Sequence, residues 1–559
     1  MPGARPANSG DARYCTCCKM RCDSGVVAFC AETERMARGK RGRRRSREFI
    51  PTKLHLTRKA PVGMCYFAEL MASSSARIRS LASDTFIYGI STVVGRFLTF
   101  MLTPLYTNYL TQSEIGSVAA LYAAIAFINI AYSLGMEPAF MRFYDKDDDA
   151  ATASAFTIAF RSVLVLSAIV TVVTVVFADS IASSQFLQLT SPDAGWLVCI
   201  ASLIPLGDAL ILMPFARLRM LRRPRQFMAL RLLGIVVNVT LNIVFVVVLD
   251  WRIEGVLWAG VAAPASILLF FLRDIFVWAR ARWSQSLFRE MLTFGMPTVP
   301  SSLSGIIVQV ADRPIMLMLA SSALVGVYQT NFRLALPMMM LVTVFEYAWR
   351  PFYLQHRDDE DAPTLFSRVL TLFTAASGVV FLVTALAMPD IVRLPFIGGR
   401  LVNPSYWWAL DVVPIVLFAY WWNGVGIVLA AGFNIRKKTA HLPLATGAAA
   451  VVNVVMTLLL IPHVGITGGA WAKVAAYITS AAVLFALLPR VYPMKFDWRN
   501  IIVIVMSCSV VYLALRELLG STILSAFVAV VTYVALLFLT RVFGTSMFST
   551  LQSLVRRNG

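Results

Sequence analysis

A succession of long apolar segments constrains this chain more than any other feature. Windows of about 20 residues with few or no charges recur between residues 84 and 540. Each is long enough to cross the roughly 30 Å hydrocarbon core of a bilayer. In lipid, only helices and closed barrels satisfy every backbone N–H and C=O. The segments are uniformly apolar rather than alternating, which excludes a barrel. Composition agrees: 58% of residues are hydrophobic and 14% charged, where a soluble domain carries about 25% charged residues. Mean hydropathy is +0.71. The sequence reads as an all-α polytopic membrane protein.

Fourteen spans are expected, near 84–107, 116–138, 152–178, 195–214, 228–249, 254–277, 292–319, 325–348, 366–388, 408–432, 441–461, 466–488, 500–518 and 521–540. The seventh is interrupted by Pro297, Pro300 and Pro314. Loop charges test the count. One set of alternate loops holds Arg142 and Lys146, then Arg217, Arg219, Arg222, Arg223 and Arg225. It continues with Arg280, Arg282 and Arg289, then Arg350 and Arg357, then Arg436–Lys438, then Arg490, Lys495 and Arg499. The other set holds Arg252, Arg393, Arg400 and Arg516. An error of one span in the middle would invert half of this pattern. The positive-inside rule therefore assigns the first set, and both termini, to the cytoplasm. Most of the +20 net charge is accounted for by topology, without a nucleic-acid partner.

The first 70 residues differ in kind, with 15 Lys/Arg against 6 Asp/Glu and the run GKRGRRRSR at 39–47. They hold Cys15, Cys17, Cys18, Cys22, Cys30 and Cys65, in no closed four-ligand spacing and with no nearby histidine pair. No metal or cofactor is expected. No apolar segment of signal-peptide type follows the basic run, and a disordered basic extension over 1–80 is expected. Met71, which opens MASSSARIRSLASD, is an alternative start. The expected organisation is an N-lobe at 84–280, a C-lobe at 290–490, two appended helices at 498–545 and a cytoplasmic tail at 546–559.

The two lobes read as repeats. VVNVTLNIVFVVVLDWRIEGVLWAGVAA (236–263) matches VVNVVMTLLLIPHVGITGGAWAKVAA (451–476) with a two-residue gap. Asn238 aligns with Asn453, Gly255 with Gly468 and Trp258 with Trp471. FYDKDDD (143–149) is echoed by FYLQHRDDED (352–361). The echoes lie six spans apart. Two six-helix bundles related by an axis along the membrane normal are expected, around a central cavity.

Ionisable residues within spans point to the site. Insertion of each costs roughly 2.5–3.5 kcal/mol at mid-membrane, so they face protein or a watery cavity. Arg96, Arg161, Arg313, Arg333 and Lys473 outnumber Asp208, Asp312 and Glu346. Arg231, at the start of its span, is expected to extend to the membrane surface. Arg161 lies near enough to a span end that it could do the same. Asp312 and Arg313 are neighbours, so a helix directs them about 100° apart; they need not pair with each other. A cationic cavity suits an anionic substrate, because arginine forks bind phosphate oxygens bidentately. The prolines of span 7 would let that helix bend as the cavity changes face.

DTFIYGISTVVGRFLTFMLTPLYTNYLTQSEIG (84–116) and ADRPIMLMLASSALVGVYQTNFRLA (311–335) resemble the polysaccharide-transporter flippases, within the multidrug/oligosaccharidyl-lipid/polysaccharide exporter superfamily. GMEPAFMRFYDKDD (135–148) and NVVMTLLLIPHVGITGGAWA (453–472) also fit. The resemblance covers roughly 80–490. It implies two six-helix bundles around a central cavity. It implies movement of a polyprenyl-pyrophosphate-linked oligosaccharide, a cell-surface polysaccharide precursor, from the inner to the outer leaflet of a bacterial inner membrane. Glycosyltransferases and a polymerase of the same pathway would be partners. The five cationic residues become candidates for the head group. Asp208, Asp312 and Glu346 become candidates for ion coupling, or counter-charges.

Two rivals are weighed against this. A drug/cation antiporter of the same superfamily would want carboxylates to dominate the cavity. A membrane glycosyltransferase or polymerase would want a larger outer catalytic loop. Its best motifs, DKDDD and DDED, sit in equivalent loops without a globular domain. No GxxxxGK[ST] occurs, so this chain carries no such nucleotide-binding loop.

Overall fold

The computed structural model describes residues 93–189, 193–494 and 496–542. The expected extension at 1–80, the start of the first span and the tail at 546–559 lie outside the described residues.

A helix at 93–100 leads into α1 (Leu102–Tyr109), followed by α2 (Gln112–Ser133), α3 (Met136–Phe143), α4 (Asp149–Val176), α5 (Ala178–Ala182), α6 (Ala194–Met220) and α7 (Pro224–Asn242). A π-helical turn, Ile243–Val248, continues α7 and leads to α8 (Arg252–Trp278). The second half holds α9 (Gln285–Gly295), α10 (Thr298–Val310), α11 (Asp312–Leu319), α12 (Ser322–Leu334), α13 (Leu336–Gln355) and α14 (Ala362–Ile391). After a hairpin of two-residue strands come α15 (Val412–Ile435), α16 (His441–Val464), α17 (Ile466–Val491), α18 (Trp498–Leu519) and α19 (Ile523–Leu539).

Ten helices are long and apolar enough to span a membrane, or twelve if the bent pairs α9/α10 and α12/α13 each count as one. The other two expected spans fall on the helix at 93–100 with α1 and on α19, an apolar helix shorter than 18 residues. Large apolar side chains such as Phe270, Val176 and Leu539 stand exposed on the outer surface, as lipid-facing residues do.

Pairings repeat between the halves. α6 packs on α8, α7 on α8 and α4 on α6; correspondingly α15 packs on α17, α16 on α17 and α14 on α15. The aligned glycines explain one of these contacts. A Cβ on Gly255 would lie 2.9 Å from the Phe245 side chain, and one on Gly468 would lie 2.7 Å from the Leu460 backbone. Phe245 and Leu460 are themselves aligned. The two-residue gap coincides with the π turn, which absorbs extra residues without ending the helix. α18 and α19 pack on α14 as an appendage.

The acidic echo is partly a helix-start signal. Asp148 caps α4, its Oδ1 accepting from the Ala150 and Ala151 amides at 2.9 Å, as acidic N-caps do.

Span 7 departs from a single proline-bent helix. α9 and α10 meet at 41° at Met296–Pro297. A second interruption falls at Ala311, where Pro314 removes the donor that the Val310 carbonyl would use. The bend in span 8, 51° between α12 and α13, was not expected. Two further helices outrun their expected ends: α6 reaches Met220 rather than 214, and α13 reaches Gln355 rather than 348.

Candidate substrate cavity

The cavity is closed at one end of the bundle. The loops carrying Arg252, Arg400 and Arg516 mark one end of the bundle, called here the far end; the heavily basic loops mark the other. At the far end α2 packs on α12. Thr111 caps α2, accepting from the Glu114 amide, and Ser321 caps α12, accepting from the Leu324 amide. Five residues beyond each cap stands a glycine. A Cβ on Gly116 would lie 1.7 Å from the Ser322 carbonyl oxygen, and one on Gly326 would lie 2.0 Å from that of Gln112. The two helices thus approach reciprocally, each glycine against the first turn of the other helix. Polar bonds reinforce the seal. The Ser113 and Ser322 hydroxyls lie 2.7 Å apart, Gln112 Nε2 donates to the Ser405 carbonyl at 2.9 Å, and Asn108 Nδ2 donates to the Arg400 carbonyl at 2.6 Å.

From this seal a cavity of about 1000 Å³ extends toward the basic end. Its deep part is lined by Arg313, Gln329, Arg333 and Tyr420, and its mouth by Arg219, Arg231 and Arg350. Arg96 lines it from the first span and donates to Thr343 Oγ1 at 2.8 Å. Six arginines therefore line the cavity, and no carboxylate does among the described residues.

The arginines differ in what holds them. Arg219 pairs with Glu137, and Arg350 pairs with Glu346 at 2.7 Å. Arg96, Arg231, Arg313 and Arg333 have no carboxylate within ion-pair reach among the described residues. Three of these lie over aromatic rings: Arg313 over Phe332 at 5.7 Å, Arg333 over Tyr106 at 5.9 Å and Arg231 over Phe215 at 5.1 Å. A ring face orients a guanidinium without neutralising it, so these forks keep their charge for an incoming anion. Arg313 Nε is buried with no acceptor.

Of the expected cationic residues, Arg96, Arg313 and Arg333 meet in the cavity. Arg161 does not: it is exposed, and its Nη2 donates to the Ala279 carbonyl at 2.9 Å. Its span starts only about three turns earlier, near enough to the membrane surface for the side chain to cap the end of α8. Lys473 does not line the cavity either. It is fully buried beside Asp312, with Nζ 3.1 Å from Oδ2. Among the carboxylates, Asp208 accepts from Asn129 Nδ2 at 3.5 Å, outside the cavity lining. Glu346 is the counter-charge of Arg350. Three lining arginines fell outside the expected set, Arg219, Arg231 and Arg350. Two stand on helix ends that run past the apolar segment, and Arg231 lines the mouth instead of extending away from it.

The two repeating halves surround a cavity closed at one end and open toward the other, a fold that solved membrane transporters also adopt. A family profile described as "Polysaccharide biosynthesis protein" matches residues 107–400, more than half of the chain, and the protein belongs to that family. Solved structures share the fold at low identity. One, a lipid II flippase MurJ in an inward closed conformation, is 13% identical over 81% of this chain and 98% of its own, with a TM-score of 0.63. Another, a multidrug resistance MATE family transporter of the MOP superfamily in an inward-facing conformation, is 17% identical over 70% of this chain and 93% of its own, with a TM-score of 0.59. A third, the MATE multidrug transporter DinF-BH, is 18% identical over 76% of this chain and 96% of its own, with a TM-score of 0.52. No protein of curated function matches the sequence.

Proposed function

We propose that the protein carries a polyprenyl-pyrophosphate-linked oligosaccharide from the inner to the outer leaflet of the bacterial inner membrane by alternating access. The basic end and both termini then face the cytoplasm. One observation carries this reading: six arginines line the cavity, with no carboxylate among its described lining residues. A cation would find nothing there to neutralise it, which weighs against drug/cation antiport. A pyrophosphate would find several forks of matching geometry.

In this reading Arg231 and Arg350 meet the head group at the mouth, and Arg96, Arg313 and Arg333 hold it deeper. The isoprenoid tail stays in the bilayer. Rocking of the lobes opens the far-end seal and closes the mouth. Glycosyltransferases supply the lipid-linked glycan and a polymerase receives it.

Native mass spectrometry of the detergent-purified protein tests the ligand class. The protein is offered a polyprenyl-pyrophosphate oligosaccharide and, separately, a lipophilic organic cation. The expected result is retention of the pyrophosphate lipid, weakened in Arg313→Gln and Arg96→Gln. Retention of the cation alone would reverse the assignment.

A further inference from the structure

The cavity continues past its deepest arginines. Between them and the far-end seal lies a recess of about 30 Å³. Arg313, Gln329 and Arg333 line both spaces and form the threshold. The N-lobe completes the recess with Tyr106 of α1 and Tyr122 of α2. Toward the far end it is closed by Leu110, Ile115 and Val118, all buried. The recess is blind.

Its polar groups are donors that lack acceptors. No carboxylate lines it among the described residues. Arg313 Nε is buried with no acceptor. Asp312, next in the chain, is committed elsewhere: its Oδ2 lies 3.1 Å from Lys473 Nζ and accepts from the Tyr328 hydroxyl at 2.6 Å. Tyr106 spends its hydroxyl on Asn242 Oδ1 at 2.8 Å and offers Arg333 only its ring. The Tyr122 hydroxyl bonds to no protein group among the described residues. Gln329 is 8% exposed, and its Oε1 has no partner. A half-turn of that amide presents its NH2 group instead.

Size and charge together select an occupant. A water fits, but it leaves two guanidiniums uncompensated in a buried place, which is costly. A small anion removes that cost. At about 10–15 Å³ for one water-sized atom, the recess takes roughly two oxygens, the number a carboxylate presents. A pyrophosphate suits it poorly, because it sits mid-chain with lipid on one side and glycan on the other. A blind recess admits a terminal group. In an oligosaccharide, the acidic terminal groups are sugar carboxylates, such as that on C6 of a hexuronate. The charge balance agrees. Arg96, Arg231, Arg313 and Arg333 line the cavity without carboxylate partners. A pyrophosphate diester brings one negative charge per phosphate, which Arg96 and Arg231 can match. Arg313 and Arg333 are left over.

We infer that the recess is a carboxylate subsite and that the transported glycan is acidic. This rests on the lipid-linked glycan reading and names the class of glycan. A sugar carboxylate enters between Arg313 and Arg333 and accepts from both forks and from Tyr122. The forks belong to the C-lobe and the hydroxyl to the N-lobe, so the anion joins the lobes directly beneath the seal. A neutral sugar leaves the recess without its counter-charge.

The test uses radiolabelled polyprenyl-pyrophosphate trisaccharides and the detergent-purified full chain. Glucuronic acid stands at the first, second or third sugar, and each lipid is matched by one with glucose there. Dissociation constants are measured by scintillation proximity at one ionic strength, set with sodium chloride or with the bulky sulfonate salt sodium HEPES. In at least one pair the acidic lipid should bind about 10- to 100-fold more tightly, in both salts. Arg333→Gln should weaken the acidic lipid by at least about tenfold and the neutral one by less than about threefold. Tyr122→Phe, a milder change, should reduce the preference about tenfold. Equal affinities in every pair, a preference abolished by chloride, equal losses for both lipids in Arg333→Gln, or an unmoved preference in Tyr122→Phe would each overturn the subsite. All four leave the lipid-linked glycan reading standing. If neither kind of lipid binds, that reading fails and the subsite fails with it.

Discussion

Residues 312 and 313 are adjacent and serve different faces of one helix. The roughly 100° between successive helical side chains sends Asp312 into the C-lobe and Arg313 into the cavity. That both are costly in a membrane is legible in the sequence; that they separate follows from helix geometry. The destination of Lys473 is not legible, because α17 has one face on the C-lobe interior and periodicity does not say which neighbour waits there. Arg161 was misplaced for a related reason: depth within a span is a single coordinate, and a side chain a few turns from the end can turn back to it. Stability distinguishes the two fates. Lys473→Gln leaves Asp312 buried and unpaired, and should cost about 3–5 kcal/mol, seen as a lower thermal midpoint in detergent. Arg313→Gln, whose side chain lines the cavity and has no ion-pair partner among the described residues, should leave the midpoint unchanged. Equal midpoints for both variants would mean that the ion pair is not buried as described.

Helices show a second kind of information. The α7–α8 and α16–α17 echoes were legible because Asn, Gly and Trp recur in register, and the structure gives the glycines a matching task. The cap-to-glycine spacing shared by Thr111–Gly116 and Ser321–Gly326 is also present in the sequence. Six residues are too few to separate from chance until the contact is seen. Helix ends were least legible: charged residues at the ends of α6 and α13 resemble loop, so Arg219 and Arg350 fell outside the expected cavity. The glycine contacts make a local prediction. Gly116→Leu places a side chain against the Ser322 carbonyl and should hold the far end ajar. Modification of Gln329→Cys by a membrane-impermeant thiol reagent applied from the far side should then quicken about tenfold, the factor for roughly 1.4 kcal/mol of lost sealing. An unchanged rate would remove these glycines from the seal.

At the scale of the molecule, charge orders everything. The basic loops gather at one end of the bundle, and the cavity concentrates arginine where lipid would exclude it. In the proposed transport cycle the lobes supply two faces that part in turn. The sequence carries this architecture because apolar length, loop charge and repetition are additive over hundreds of residues, whereas a site depends on a few side chains at known angles. Reconstituted vesicles test the central claim. They would hold a fluorescent polyprenyl-pyrophosphate oligosaccharide, with the appearance of its head group on the opposite leaflet followed by an impermeant quencher. The account predicts protein-dependent flipping that is lost in Arg313→Gln/Arg333→Gln while the variant stays folded. Flipping at the parent rate in that variant would contradict the cationic cavity as the path of the head group.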